Sequence, residues 1–248
     1  MKVRLISALI MALSLSVCCF GAKKMSVVIK PWLYASFDKD CALKRGSFEL
    51  RNTTEKCSLV KGVLGNAVRV KKDSKLIYDI TNFLNKKSLT ISYWFKTSVD
   101  SKAKVQMIFL SISSNKYANK DGLILLKYNY GPRVTAAVMH NWKRHEFSVY
   151  ADMIWAANSW HQIVYSISIK ENYCDLYLDG ELVGSRLYSA WKSRPTKLVI
   201  GNCMANNKIN PNNAFCGIID ELCIYNQALS AKQIKQQYNN TSNNQKEK

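Results

Sequence analysis

The stretch Leu89-Thr90-Ile91-Ser92-Tyr93-Trp94-Phe95 decides the fold. Leu89, Ile91, Tyr93 and Phe95 place large apolar groups at every second position, with Thr90, Ser92 and Lys96 between them. Side chains alternate across a strand, so a period of two predicts a strand with one face in a core. The same period returns at His161, Ile163, Tyr165, Ile167 and Ile169, with Gln162, Ser166 and Ser168 between. Working outward, short strand patterns fall at 33–37, 67–70, 107–112, 123–128, 134–139, 147–150, 174–178, 181–187, 198–200 and 218–225. A dozen short strands without crossover helices predict an all-β fold, two antiparallel sheets stacked as a sandwich.

Two local signals mark the joints. Asp179-Gly180 sits between two apolar runs and supplies the positive φ values of a tight hairpin. Ser230 with Gln233 forms a capping box, and Ile234 and Tyr238 then share one helix face. This predicts a short C-terminal helix across the end of the sandwich, followed by a frayed polar tail at 239–248.

Lys2 and Arg4, an apolar run over residues 5–20, and then Gly21 and Ala22 have the layout of a secretory signal peptide at residues 1–21. The expected domain is 22–238, secreted to an extracellular or periplasmic space, with no later segment apolar enough to span a membrane. Export changes the meaning of the cysteines. Six of eight lie beyond the leader, at Cys41, Cys57, Cys174, Cys203, Cys216 and Cys223. An even count in an oxidising compartment predicts disulfides. Cys41–Cys57 and Cys203–Cys216 each bracket a polar loop, which leaves Cys174–Cys223 by elimination. The absence of a Cys-x-x-Cys pair after the leader disfavours zinc.

The formal charge is +19 and the pI about 9.6. Such an excess favours anionic partners, among them sulfated or uronic polysaccharides. Nucleic acid is not expected, because nothing resembles a groove-reading helix or a base-stacking sheet.

Several motifs together resemble the laminin G-like jelly roll of the concanavalin A-like lectin and glucanase group. They are Gly65-Asn66-Ala67-Val68-Arg69-Val70, Leu89 to Phe95, Trp160-His161-Gln162-Ile163-Val164, Leu176-Tyr177-Leu178-Asp179-Gly180 and Gly217-Ile218-Ile219-Asp220-Glu221-Leu222. Ile224-Tyr225-Asn226 and Ala228-Leu229-Ser230 extend the last of them. The resemblance implies curved sheets with the chain ends close together, and it implies no single activity. It also implies one structural calcium that ties the first strand to the last, with Asp38 and Asp220 as its carboxylates.

Catalysis of the glycosidase kind needs two carboxylates on one strand face. Asp220 and Glu221 are adjacent, which predicts opposite faces; Glu171 and Asp175 are four apart, but Tyr173 lies between them and Asp175 sits beside a hairpin; all four read as non-catalytic. His161 reads as a hydrogen-bonded histidine at a sheet edge. Sugar sites pair flat aromatics with cationic or amide groups. Three loop clusters have that make-up: Tyr128 and Tyr130 with Arg133, Trp142 with Arg144, and Trp191. The reading is therefore a secreted, non-catalytic module that binds a glycan. An adhesion or envelope protein-binding module is the alternative, and a polysaccharide-degrading enzyme of the same fold is a third reading.

Overall fold

The computed structural model describes residues 29–81, 88–113, 121–140, 143–144, 149–187, 195–205, 208–209 and 211–246. The signal-peptide reading at 1–21 lies outside them. Two large antiparallel sheets face each other. The first runs in the order Glu181–Leu187, Tyr173–Leu178, Trp160–Ser168, Ser88–Lys96, Gly217–Tyr225, Leu33–Ala35, Lys44–Arg45 and Phe48–Glu49. Asn66–Val70 also pairs with Gly217–Tyr225 and carries Ser58–Lys61 outside it. The second sheet runs Lys143–Arg144, Arg133–His140, Asp121–Lys127, Met107–Ser113, Lys197–Ile200, Lys75–Asp79 and Asn52–Glu55. Val149–Asp152 pairs with Arg133–His140.

Leu33–Ala35 lies beside Gly217–Tyr225, with Tyr34 opposite Cys223. The beginning and end of the domain thus share one sheet, as a jelly-roll sandwich requires. The period-two stretches behave as read. Leu89, Ile91, Tyr93 and Phe95 point inward to meet Ile163, Tyr165, Phe109 and Leu110 in one core. Their partners across the strand are buried as well: Thr90 at 0% and Trp94 at 2% exposure. The second covering comes from the C-terminal helix.

That helix is Ala231–Lys246, longer than the sequence predicts, and it absorbs most of the expected polar tail. The capping box forms: the Ser230 amide donates to Gln233 Oε1 at 2.8 Å and the Gln233 amide to Ser230 Oγ at 3.4 Å. Once nucleated, the helix meets no Gly or Pro to stop it. It also packs differently from the expectation. Rather than crossing the sandwich end, it lies on the outer face of the first sheet, with Ile234 among Val164, Tyr177, Tyr225 and Leu229. Tyr238 stacks on Trp94 at 5.4 Å and 12°. The apolar groups on that outer face draw the helix there, because exposed they would cost about 25 cal/mol per Å².

The 41–57 segment also departs from the expectation of a loop. It contributes Lys44–Arg45, Phe48–Glu49 and Asn52–Glu55 to sheet edges. Their residues are mostly polar, and Arg45, Glu49, Thr53, Thr54 and Glu55 are exposed, so no apolar alternation announces these strands.

One of the three expected bridges, Cys174–Cys223, needs a correction. The six described cysteines form no disulfide in the structure. Cys174 and Cys223 cannot be joined: their strands are separated by Trp160–Ser168 and Ser88–Lys96. At about 4.8 Å per strand spacing the gap is roughly 14 Å, against a ceiling of about 7 Å between bridged Cα atoms. Cys174 also faces the core, whereas Cys223 packs on the outer face. Cys41 and Cys57, by contrast, both pack at one edge of the core. Burial, with the neighbouring Cys57 second, pushes the Cys41 thiol up to about 11. At the other expected bridge the loop ends do meet, the Phe215 amide donating to the Gly201 carbonyl at 2.8 Å. Cys203 there is buried and Cys216 exposed.

Candidate functional site

The first of the three aromatic clusters is assembled at a turn after Asp121–Lys127. Tyr128 is buried on the outer face of the second sheet with Ile108, Ile124, Leu126 and Cys203. Tyr130 lies over it, ring centroids 4.8 Å apart and 24° from parallel, and is 57% exposed. Arg133 closes the turn: its carbonyl accepts from the Tyr128 amide at 2.9 Å and its Nε donates to Asp152 at 3.2 Å. An open aromatic face is thus flanked by an exposed cation and carboxylate. Trp142 and Trp191 lie outside the described residues. Arg144 is described by its backbone, opposite Met139.

What holds this turn was not legible in the sequence. Lys127, just before it, is fully buried. Its Nζ donates to the carbonyls of Ala103 at 2.6 Å, Val105 at 3.1 Å, Tyr128 at 2.9 Å and Gly131 at 3.1 Å. An ammonium has three N–H donors, so four carbonyls share them. Burial lowers the Lys127 pKa from its usual value, while Asp100 nearby opposes that. The ammonium ties the loop at 103–105 to the turn at 128–131, and so positions Tyr130. A lone lysine in a leucine-rich strand carries no sequence signal of this role; only the convergence of two loops creates it.

The domain closure holds a second set of buried polar groups. Asp220 is fully buried. Its Oδ2 accepts from the Val63 amide at 2.9 Å and the Leu64 amide at 3.2 Å, and its Oδ1 from the Glu221 amide at 2.9 Å. Burial pushes Asp220 up to about 8, helped by neighbouring Glu221 and opposed by the three amides. Asp38 straps the same turn from the other side, accepting from the Asn66 amide at 3.0 Å. The two carboxylates expected to hold calcium therefore meet at one turn, where both Asp220 oxygens and Asp38 Oδ1 accept from backbone N–H groups. Calcium needs 6–8 oxygen ligands with free lone pairs. Among the described residues no three His, Cys, Asp or Glu groups are gathered around a metal-sized space.

Asp220 and Glu221 also correct the expectation of opposite faces. Ile219 and Leu222 both enter the core, so the two residues between them both face outward. The pairing with Ser88–Lys96 shifts register between Asp220 and Cys223, and Glu221 has φ of 52°. This is a β-bulge, which places one extra residue on a strand and breaks the alternation. The Tyr34 hydroxyl then lies 2.9 Å from both Glu221 carboxylate oxygens. Burial raises the Glu221 pKa. The pair thus shares a face yet is spent on amides and a phenol, with Asp220 out of reach of solvent.

His161 is hydrogen-bonded, as read, through Nδ1 to Asp179 Oδ2 at 2.7 Å. Its strand is interior to the sheet, so it sits at a strand end and not an edge. The Asp179-Gly180 turn forms with φ of 53° and 77°. A Cβ on Gly180 would lie 2.9 Å from Lys235, so the glycine also admits the helix.

The sequence profile of the concanavalin A-like lectin/glucanases superfamily matches residues 70–235. No curated protein matches the chain. Among solved structures, domain 4 of AbnA, a GH43 extracellular arabinanase from Geobacillus stearothermophilus in complex with arabinotriose, superposes with a TM-score of 0.65 at 16% identity, covering 84% of this chain and 97% of that one. The botulinum neurotoxin serotype D ligand binding domain in complex with N-acetylneuraminic acid superposes at 0.64 and 18% identity, over 85% of this chain and 51% of that one. The binding domain of Paraclostridial Mosquitocidal Protein 1 gives 0.62 and 14%, over 84% and 51%. The chain thus spans about half the length of the toxin binding domains. At such identities the likeness is one of fold.

Proposed function

Because the chain belongs to the concanavalin A-like lectin/glucanases superfamily, we propose that it is an exported, non-catalytic carbohydrate-binding module with Tyr130 as its sugar ledge. The observation that carries this reading is the exposed Tyr130 ring, backed in parallel by buried Tyr128 and flanked by Arg133 and Asp152. A flat, rigid ring with polar groups at its rim is what a pyranose face stacks on. The sugar-bound structures of similar fold add support. The lack of catalysis rests on the closure carboxylates: Asp220 is buried and saturated by amides, and Glu221 is held by Tyr34.

A glycan array at low salt is expected to yield at least one ligand. Tyr130→Ala should weaken it about tenfold, the equivalent of roughly 1.4 kcal/mol, by calorimetric titration. An array without any bound glycan defeats the proposal, and an unaltered affinity in Tyr130→Ala removes the ledge from it.

Export also makes Cys41 and Cys57 the thiols to cross-link first, since they share one core edge. Peptide mapping of secreted, unreduced protein should recover these two joined. Recovery of both as thiols would refute the bridge.

A further inference from the structure

A second recess opens on the outer face of the first sheet, where the C-terminal helix does not reach. Its position follows from register. Ile218 in Gly217–Tyr225 pairs with Arg69 on one side and Lys96 on the other. Residues in register on neighbouring strands project to the same face, so Arg69, Ile218 and Lys96 form a row about 10 Å long across three strands. Val70, Phe95 and Ile219 occupy the core side of the same strands, which confirms that the row faces outward. Lys71 follows at the end of its strand, and Thr97, Ser98 and Asn158 rise from adjoining loops to enclose a cavity of about 380 Å³. That volume lies in the range of small-molecule sites.

The rim is built to stay close. The Asn158 amide donates to the Thr97 carbonyl at 2.7 Å, and Thr97 Oγ1 donates to the Cys216 carbonyl at 2.9 Å. A Cβ on Gly217 would lie 2.4 Å from the Lys96 carbonyl, so only glycine lets the two strand ends approach. Three cations line the recess and no carboxylate does. Among the described residues none of the three makes an ion pair, whereas nearby Asp73 is committed to Lys56 at 2.6 Å. Unpaired cations gathered in a concavity focus the field on a small anion. The Ser98 hydroxyl and the Asn158 side-chain amide beside them suit the neutral groups of a sugar.

We propose that this recess binds the oxyanion group, sulfate or carboxylate, of an acidic sugar unit. Arg69 and Lys96 grip the anion from the two sides of Ile218, while Lys71 adds to the field. The inference rests on the carbohydrate-binding reading and names the ligand's charged part. It assigns a site separate from Tyr130.

The test is calorimetric titration of three probes at low and raised salt: a sulfated oligosaccharide, the same oligosaccharide desulfated, and inorganic sulfate. Four proteins are compared: wild type, Arg69→Ala/Lys96→Ala, Tyr130→Ala, and Lys170→Ala/Lys232→Ala, which removes the same charge from exposed positions elsewhere. Far-UV circular dichroism and melting establish that each is folded. The sulfated sugar should bind at least tenfold tighter than the desulfated one. That advantage should vanish in Arg69→Ala/Lys96→Ala and persist in the Lys170/Lys232 control. Equal losses in both double variants would show a diffuse field and overturn the site, as would an unchanged advantage in Arg69→Ala/Lys96→Ala. Inorganic sulfate that binds as tightly as the sulfated sugar overturns the assignment to a glycan. Desulfated sugar bound in a Tyr130-dependent way, with no gain from sulfate, sinks this inference alone; no binding of either sugar sinks both.

Discussion

Urea unfolding of Lys127→Met is expected to show a loss of about 3 kcal/mol or more, because buried acceptors left without a donor cost roughly 1–3 kcal/mol each. The four carbonyls that meet Nζ come from two separate loops, and the ammonium has no exposed surface. Methionine keeps the length and apolar stem of lysine but supplies no donor. Lys127→Arg keeps the charge, yet its planar fork cannot reach carbonyls spread around a point. It should recover only part of the loss. Because the same ammonium holds the turn that carries Tyr130, Lys127→Met should also weaken glycan binding without touching the sugar. A loss of less than about 1 kcal/mol would show that the carbonyls find water or other donors instead.

The second large effect is a pH dependence set by Asp220. Its pKa rises from 3.8 to about 8 on folding, chiefly through burial. Between those values the folded chain holds a proton that the unfolded chain has released. The stabilisation is therefore complete below about pH 4 and drains away as the pH climbs to about 8, at up to about 1.4 kcal/mol per unit. Glu221, also raised by burial, acts in the same direction. Asp79, lowered to about 2 by Thr81 and Lys197, acts in the opposite sense, but only at acid pH below that window. Denaturant unfolding at pH 5 and pH 8 should show the wild type clearly weaker at pH 8. Asp220→Asn should flatten that profile. It should start less stable, since its amide group faces the Glu221 N–H, and the two proteins should converge as the pH rises. A wild-type profile flat across this window would show that Asp220 stays ionised, held by its three amides.

The legibility of these features followed the range of the interactions behind them. Period-two burial, the Asp179-Gly180 turn and the Ser230–Gln233 cap each depend on residues within one strand or one turn. The chain therefore declared an all-β sandwich with a capped C-terminal helix, and the Tyr128–Tyr130–Arg133 cluster could be read because those residues are neighbours. Composition argued for a frayed tail, but the helix capped at Ser230 and docked through Ile234 and Tyr238 runs on through it to Lys246. One inserted residue at the Glu221 bulge undid the alternation rule. Elimination paired Cys174 with Cys223, although two intervening strands keep them apart.

Residues 89–95 and 161–169 thus determined alone that two apolar sheet faces must meet, since their period is a local property. Tertiary structure decided what lies across from what: the Lys127 carbonyls, the amides on Asp220 and the Arg69–Ile218–Lys96 row. Each of these joins segments tens of residues apart. Register and loop approach, which no local pattern encodes, are what bring them together.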